Sequence, residues 1–270
     1  MLQKIILLDG NIFLMNDLEA ILLAGGHGKR LHPFTFYTSK HLLPVDNIPM
    51  IFYPLKNLQL LGVKKVFLIV NEHHLDQYTL LISKYNFKMD INLVIQDNPL
   101  GIPDAILKCE DYIKGDKFIV ALGDNLIVAS NFINRCKEKF DQNITSICGF
   151  NVSDPRPFGV AKYKSSGDLL KVVEKPKDPP SNTAIVGFYQ FTADAFSRIK
   201  KLEYSERGEL EIADLINLYI DEESCQIIES ESSTDYWIDT GTNESLINAS
   251  NFIRDLKKNN GIEIGHFELK

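Results

Sequence analysis

The sequence predicts an α/β fold, with a mostly parallel sheet flanked by helices and an elaborated second half. Two observations support this. Between residues 20 and 122, short apolar runs alternate with segments of helical periodicity. Each run ends at glycine, asparagine or a polar turn, and its length suits a strand buried on both faces. Strand, helix, strand in this rhythm implies right-handed crossovers between parallel neighbours, because a twisted strand feeding a helix packs back onto its sheet in that hand.

The elements follow in order. Residues 20–23 are the first expected strand, and apolar residues at helical spacing run from Pro49 to Leu61 before a C-capping Gly62. Residues 66–70 read as a buried strand, 72–85 as a helix, 91–95 as a strand, 103–113 as a helix and 118–122 as a strand. That last strand ends at Gly123-Asp124-Asn125. Beyond it the sequence predicts strands at 144–152, 160–163, 169–174 and 184–191, and a helix at 210–219. Short strands at 226–229 and 236–238 precede a final helix at 243–256. There is no internal repeat or low-complexity linker, so residues 18–270 are expected to form one domain behind an extension at 1–17. The apolar patches of that extension are split by Asp9-Gly10-Asn11, unlike a secretory signal, and Met15 is a candidate translation start.

The chemistry concentrates after the first strand. Gly25, Gly26 and Gly28 let the backbone turn sharply and bring N–H groups close to an anion, and Arg30 and Lys40 add positive charge. A polyphosphate is the simplest ligand, and an ordinary tight turn is the competing reading. The stretch is not a P-loop, because Arg30 stands where Ser or Thr is needed. Nor is it the dinucleotide fingerprint, since Gly26 and Gly28 lack the third glycine. That failure weakens a dehydrogenase reading. In parallel sheets ligands bind beyond the carboxyl ends of strands, where Gly25, Gln96 and Asp124 all fall. Asp124 and Asp239 each suit a hard cation such as Mg²⁺, and each could equally be a turn aspartate bonding its own backbone.

The net charge of −7 argues against a general nucleic-acid or anionic-membrane partner, so phosphate affinity must be local. Cys109, Cys136, Cys148 and Cys225 contain no C-x-x-C pair, which favours free thiols in a reducing compartment over a zinc site. No apolar run approaches a membrane span, and a cytoplasmic location is expected. His73-His74 lacks spaced ligand partners, so a solvated helix start is the favoured reading there.

Three motifs together suggest a family. L-A-G-G-H-G-K-R-L begins at Leu23, S-K-H-L-L-P at Ser39 and P-M-I-F-Y-P at Pro49. In this order they resemble the sugar-1-phosphate nucleotidylyltransferases, most closely the glucose-1-phosphate thymidylyltransferases, and the likeness runs from about Leu18 to about Leu256. The resemblance implies a Rossmann-like fold of the nucleotide-diphospho-sugar transferase type, with the sugar site in the second half. It implies a nucleotidyl transfer from dTTP or UTP to a sugar 1-phosphate, with glucose 1-phosphate expected, Mg²⁺ as cofactor, and a homo-oligomeric assembly. It assigns Gly25, Gly26 and Gly28 to the nucleotide phosphates, Gln96 and Gly101 to the base, and Asp124 and Asp239 to Mg²⁺. Arg30, Lys40, Asp124 and Lys175 become the catalytic set, and Gly159, Glu174, Lys175, Tyr189 and Arg207 the sugar-phosphate set.

Three features depart from the family pattern. Lys29 replaces a usual threonine, and Pro103-Asp104 stands where Ala-Gln is common. The aspartate brings either repulsion or a different hydrogen bond beside the base, which bears on base choice. The chain ends soon after its last long helix, where longer relatives continue into a segment that helps form a regulatory site between subunits. A non-catalytic sugar-nucleotide-binding subunit is the alternative on the same fold. It would be favoured by loss of Arg30, Lys40, Asp124 or Asp239, and all four are present.

Overall fold

Residues 5–8, 11–14, 18–96, 98–140, 144–260 and 264–270 are described in the computed structural model; side chains of 5–8, 11–14, 130 and 260 are not. The first apolar run becomes strand β1 (Glu19–Ala24). Its side chains alternate between two cores, with Ala20, Leu22 and Ala24 in one and Ile21 in the other. Because both faces are covered, a continuous apolar run is what this strand needs.

β1 lies at the middle of a four-stranded parallel unit. It pairs with β2 (Lys65–Val70) on one side and β4 (Lys117–Leu122) on the other, and β2 pairs with β3 (Asp90–Ile95). The spatial order β3-β2-β1-β4 brings the carboxyl ends of all four strands to one edge. The connecting helices are α1 (Phe52–Leu61), α2 (Leu75–Lys84) and α3 (Ile102–Leu107). Gly62 adopts the left-handed conformation that ends α1, as its sequence position predicts.

The second half extends the same sheet. β6 (Thr145–Asn151), β7 (Gly159–Tyr163), β8 (Leu169–Glu174) and β10 (Cys225–Glu229) gather around the ten-residue β9 (Thr183–Thr192). β9 runs antiparallel to β6 along one side. Its other side forks, pairing with β4 at Phe188–Thr192 and with β7 at Ala184 and Ile185. Gly187 sits at the fork, where a Cβ would come within 2.3 Å of the Leu122 side chain. α1, α4 (Ser130–Phe140) and α7 (Asn243–Asn260) pack on one face, and α3, α5 (Ala195–Ile199) and α6 (Ile212–Asp221) on the other.

Some elements differ from the sequence reading. The predicted 72–85 helix opens as a 3₁₀ turn, Glu72–His74, capped by Asn71, whose Oδ1 accepts from the His73 N–H at 3.0 Å. α3 ends at Leu107, and the backbone then tightens into i→i+3 turns through Cys109 and Tyr112. α6 starts two residues later than predicted because the Leu210 N–H donates to the Leu100 carbonyl instead. β5 (Asn125–Val128), α4 and α5 are additions, and β5 pairs with β11 (Tyr236–Asp239) in a separate antiparallel ribbon. The apolar patches of the N-terminal extension also pair, Ile5–Leu8 with Asn11–Leu14, and Met15 lies outside the described residues. Among the described residues no helix is long and apolar enough to cross a membrane.

Candidate active site

The glycine loop leaves β1 and is shaped by what touches it. A Cβ on Gly25 would lie 3.1 Å from Gln96 Oε1, so the loop passes directly over the end of β3. Gly28 has φ 61° and is crowded by Thr35 and Lys40, and its carbonyl accepts from the Thr35 hydroxyl at 2.9 Å. A side chain there would meet both strain and collision. Gly26 has nothing within 4 Å of a Cβ position, so its backbone faces open space.

Lys40 and Asp124 form an ion pair at the end of β4, with side chains only 13% and 15% exposed. Burial alone would raise the Asp124 carboxyl, but Lys40 and a hydrogen bond from Asn125 Nδ2 hold it well below the usual carboxylate range. Asn125 also accepts through its Oδ1 from the Gly187 N–H and the Trp237 Nε1–H, both at 2.8 Å. Asp239 arrives from β11, whose register sets it opposite Asn125. Burial and the charge of Asp124 raise its carboxyl, against the opposing pull of Lys40 and Arg30. Arg30 lies beside Gly241, where a Cβ would come 2.9 Å from its Nη2 and 2.9 Å from Asp239 Oδ2. Thr240 donates its hydroxyl to the Asp124 carbonyl at 2.9 Å, locking the two turns together.

A second charged group forms where β7, β8 and the start of α6 meet. Gly159 pairs in register with Glu174. The Glu174 Oε1 lies 3.3 Å from Lys175 Nζ and 3.6 Å from Arg207 Nη2. Arg207 donates to both carboxylate oxygens of Glu211, at 3.2 and 2.6 Å. Tyr189 is buried beneath, and burial together with Glu174 pushes its phenol well above the usual range. The charges of Glu174 and Asp124 both add to that rise. Gly101 ties the start of α3 to the segment before α6: it has φ 108° and bridges to Leu210, with no room for a Cβ, which would lie 2.1 Å from the Leu210 carbonyl oxygen.

The nucleotidyl transferase family model matches residues 19–256. The chain belongs to this family. A glucose-1-phosphate thymidylyltransferase from Xanthomonas campestris pv. campestris is 35% identical over 253 residues, covering 93% of this chain and 85% of the relative. One from Neisseria meningitidis serogroup A is 33% identical over 253 residues, covering 93% and 88%. A provisionally named glucose-1-phosphate thymidylyltransferase from Bacillus anthracis, solved in complex with a sucrose, matches with a TM-score of 0.79 at 33% identity, covering 88% of this chain and 96% of that one. A UDP-glucose pyrophosphorylase complexed with UDP-glucose shares the fold at 21% identity, with a TM-score of 0.78 and coverage of 89% and 99%.

Within this nucleotidyl transferase, the residues picked from sequence fall into three neighbouring groups. Gly25, Gly26, Gly28, Arg30, Lys40, Asp124 and Asp239 surround the glycine loop. Gln96 and Gly101 flank it at the end of β3 and the start of α3. Gly159, Glu174, Lys175, Tyr189 and Arg207 make the third. Sequence reasoning missed Asn125, Thr240 and Glu211. Glu211 carried a signal, since it lies four residues after Arg207, but the roles of Asn125 and Thr240 depend on the β5–β11 ribbon. His41 is a structural addition: it is 3% exposed, accommodated by the missing side chain of Gly123, and burial beside Lys40 pulls its imidazole down to about 3.

The carboxylates of Asp124 and Asp239 suit a divalent cation. Both offer hard oxygen donors, and the raised Asp239 carboxyl is a group that a cation would favour in its charged form. Among the described residues no cluster of three or more His, Cys, Asp or Glu adds to them, so phosphate oxygens and water would complete the coordination.

Proposed function

We propose that this nucleotidyl transferase moves a thymidylyl or uridylyl group from dTTP or UTP to a sugar 1-phosphate, with glucose 1-phosphate as acceptor, and releases pyrophosphate. The observation that carries this reading is the convergence of Lys40, Arg30, Asp124 and Asp239 on the glycine loop, with Lys175 and Arg207 in the adjoining group. The curated relatives, named for glucose 1-phosphate and thymidylyl transfer, support the choice of substrates.

A phosphate oxygen of the sugar 1-phosphate attacks the α-phosphorus, a new P–O bond forms, and the bond to the leaving pyrophosphate breaks in line. The acceptor is already ionised near neutral pH, so no side chain has to remove a proton. The demand on the protein is to bring two polyanions together and hold their charge in place. Backbone N–H groups of the glycine loop receive the triphosphate, Lys40 sits against its α-phosphate, and Arg30 meets the charge growing on pyrophosphate. Lys175 and Arg207 hold the attacking phosphate, and Glu174 and Gly159 face the sugar hydroxyls. Gln96 and Gly101 meet the base. Asp124 and Asp239 would hold Mg²⁺, which supplies charge neutralisation at the phosphates.

The test is pyrophosphate release with Mg²⁺ from each common nucleoside triphosphate against a panel of sugar 1-phosphates. Release with dTTP or UTP plus glucose 1-phosphate is the expected outcome, abolished by EDTA and restored by excess Mg²⁺. Nucleotide binding without release for any pair would favour a non-catalytic sugar-nucleotide-binding subunit.

A further inference from the structure

We propose that Asp104 is a positioning residue that sets the hydrogen-bonding polarity of Gln96, so that the site takes a nucleotide whose base donates an N–H from its pairing edge. The inference rests on the proposed contact between Gln96 and the base. Gln96 is 4% exposed, and its Nε2 donates to Asp104 Oδ2 at 2.8 Å. Asp104 is itself 8% exposed and belongs to the first turn of α3. The two ends of an amide have nearly the same shape, so packing alone does not choose between them. A carboxylate offers only acceptors, and it therefore takes the NH₂ end. The carbonyl end is left facing the glycine loop, 3.1 Å from a Cβ position on Gly25. Among the described residues nothing donates to it.

The partner is as firmly held as the glutamine. Pro103 presets the first turn of α3, and the Gly101–Leu210 bridge anchors the residue before it. Lys108 Nζ lies 4.0 Å from the other Asp104 oxygen, one turn along the helix. The amide is thus oriented before any ligand arrives. Thymine and uracil carry an N–H at N3 between two carbonyls, whereas cytosine presents a lone pair at N3. The fixed Gln96 carbonyl accepts from the first two and repels the third. An unrestrained glutamine would turn over and serve either edge, and Asp104 removes that freedom.

The test measures dTTP and CTP binding by calorimetry, without sugar phosphate, for the wild type, Asp104→Asn, and the double variant Asp104→Asn with Gln96→Glu. The wild type is expected to prefer dTTP by about 100-fold, the upper scale of what leaving one buried polar group unsatisfied costs. In Asp104→Asn the introduced amide can donate or accept, Gln96 is free to turn, and the preference falls by about tenfold or more. The double variant keeps the charge of the pair and returns an acceptor to the face near Gly25, so most of the preference recovers. An unchanged ratio in folded Asp104→Asn overturns the inference. So does a lost ratio that the double variant does not restore, since that marks packing rather than polarity. If Asp104→Asn does not fold, the double variant decides: preference kept supports the inference and preference lost overturns it. Binding in the expected ratios without pyrophosphate release would remove the transferase reading and leave this one standing.

Discussion

Lys40 shows how one side chain can serve both stability and the proposed chemistry. Its ion pair with Asp124 counters the burial that would otherwise protonate the carboxylate. In the proposed reading, the same ammonium meets the polyphosphate at the glycine loop. Lys40→Ala should therefore lower kcat by about 100-fold or more, because transition-state charge loses its counter-ion. The fold should survive, since the substitution leaves Asn125 and Thr240 holding the Asp124 turn. Steady-state kinetics with a melting curve separates the two effects, and near-normal turnover would show that the lysine has another role. At this scale the cations and glycines were readable from residue type and spacing. The outcome at Asp104 was not. Its sequence position allowed repulsion or a hydrogen bond, and the choice needed the distance to Gln96 across the β3–α3 turn.

At the scale of elements, α7 is tied to the segment that carries the second and third motifs. Asp46, with φ 55°, accepts from Lys257 Nζ at 2.8 Å and from Arg254 Nε at 3.3 Å, and its backbone N–H donates to Ser250 Oγ at 3.1 Å. The hydrogen bond from Lys257 leads in lowering the Asp46 carboxyl, with burial opposing it. A folded-state value below the unfolded one makes the contribution present above pH 3.8 and lost as pH falls through the folded value. Asp46→Asn should cost about 1 kcal/mol at pH 6, the scale of a partly exposed ion pair. The gap from wild type in urea midpoint should narrow as the pH is lowered from 3.8 through the folded value. A gap that does not narrow at all below pH 3.8 would assign the effect to backbone geometry instead. The helix itself was legible from its apolar spacing, but its clamp was not, because Asp46 and Lys257 are distant in the chain. α4 was missed in the sequence, although Phe132, Ile133, Cys136 and Phe140 recur at helical spacing and all face one core.

At the scale of the whole molecule, the seam between β4 and β9 joins the parallel half to the antiparallel half. Leu122 fills the space opposite Gly187, and the Gly187 N–H is bonded to Asn125, the residue that also steadies Asp124. Gly187→Ala should destabilise the protein by about 1–3 kcal/mol through overpacking. Because the same backbone supports Asp124, the variant should also lose turnover at temperatures where it remains folded. A melting temperature within about 1 °C of wild type would mean that Leu122 relaxes at little cost, since 1 kcal/mol corresponds to about 2–4 °C in a chain of this size.

The parallel half of the fold was written in local signals: apolar runs, a capping glycine, and breaks at the strand ends. Burial on both faces demands such runs wherever the strand sits, so each can be recognised without its neighbours. The glycine loop and its cations were equally local. The β5–β11 ribbon was not, because Asn125 and Asp239 lie far apart in the chain and only their pairing sets the two carboxylates side by side. The same holds for Gly101, whose missing side chain admits the backbone of Leu210, and for the Arg207 group that this contact brings toward Glu174. Residue type and spacing describe what a segment can do. Which partner it meets depends on chain crossings whose energy comes from distant contacts, and those exist only once the sheet has formed.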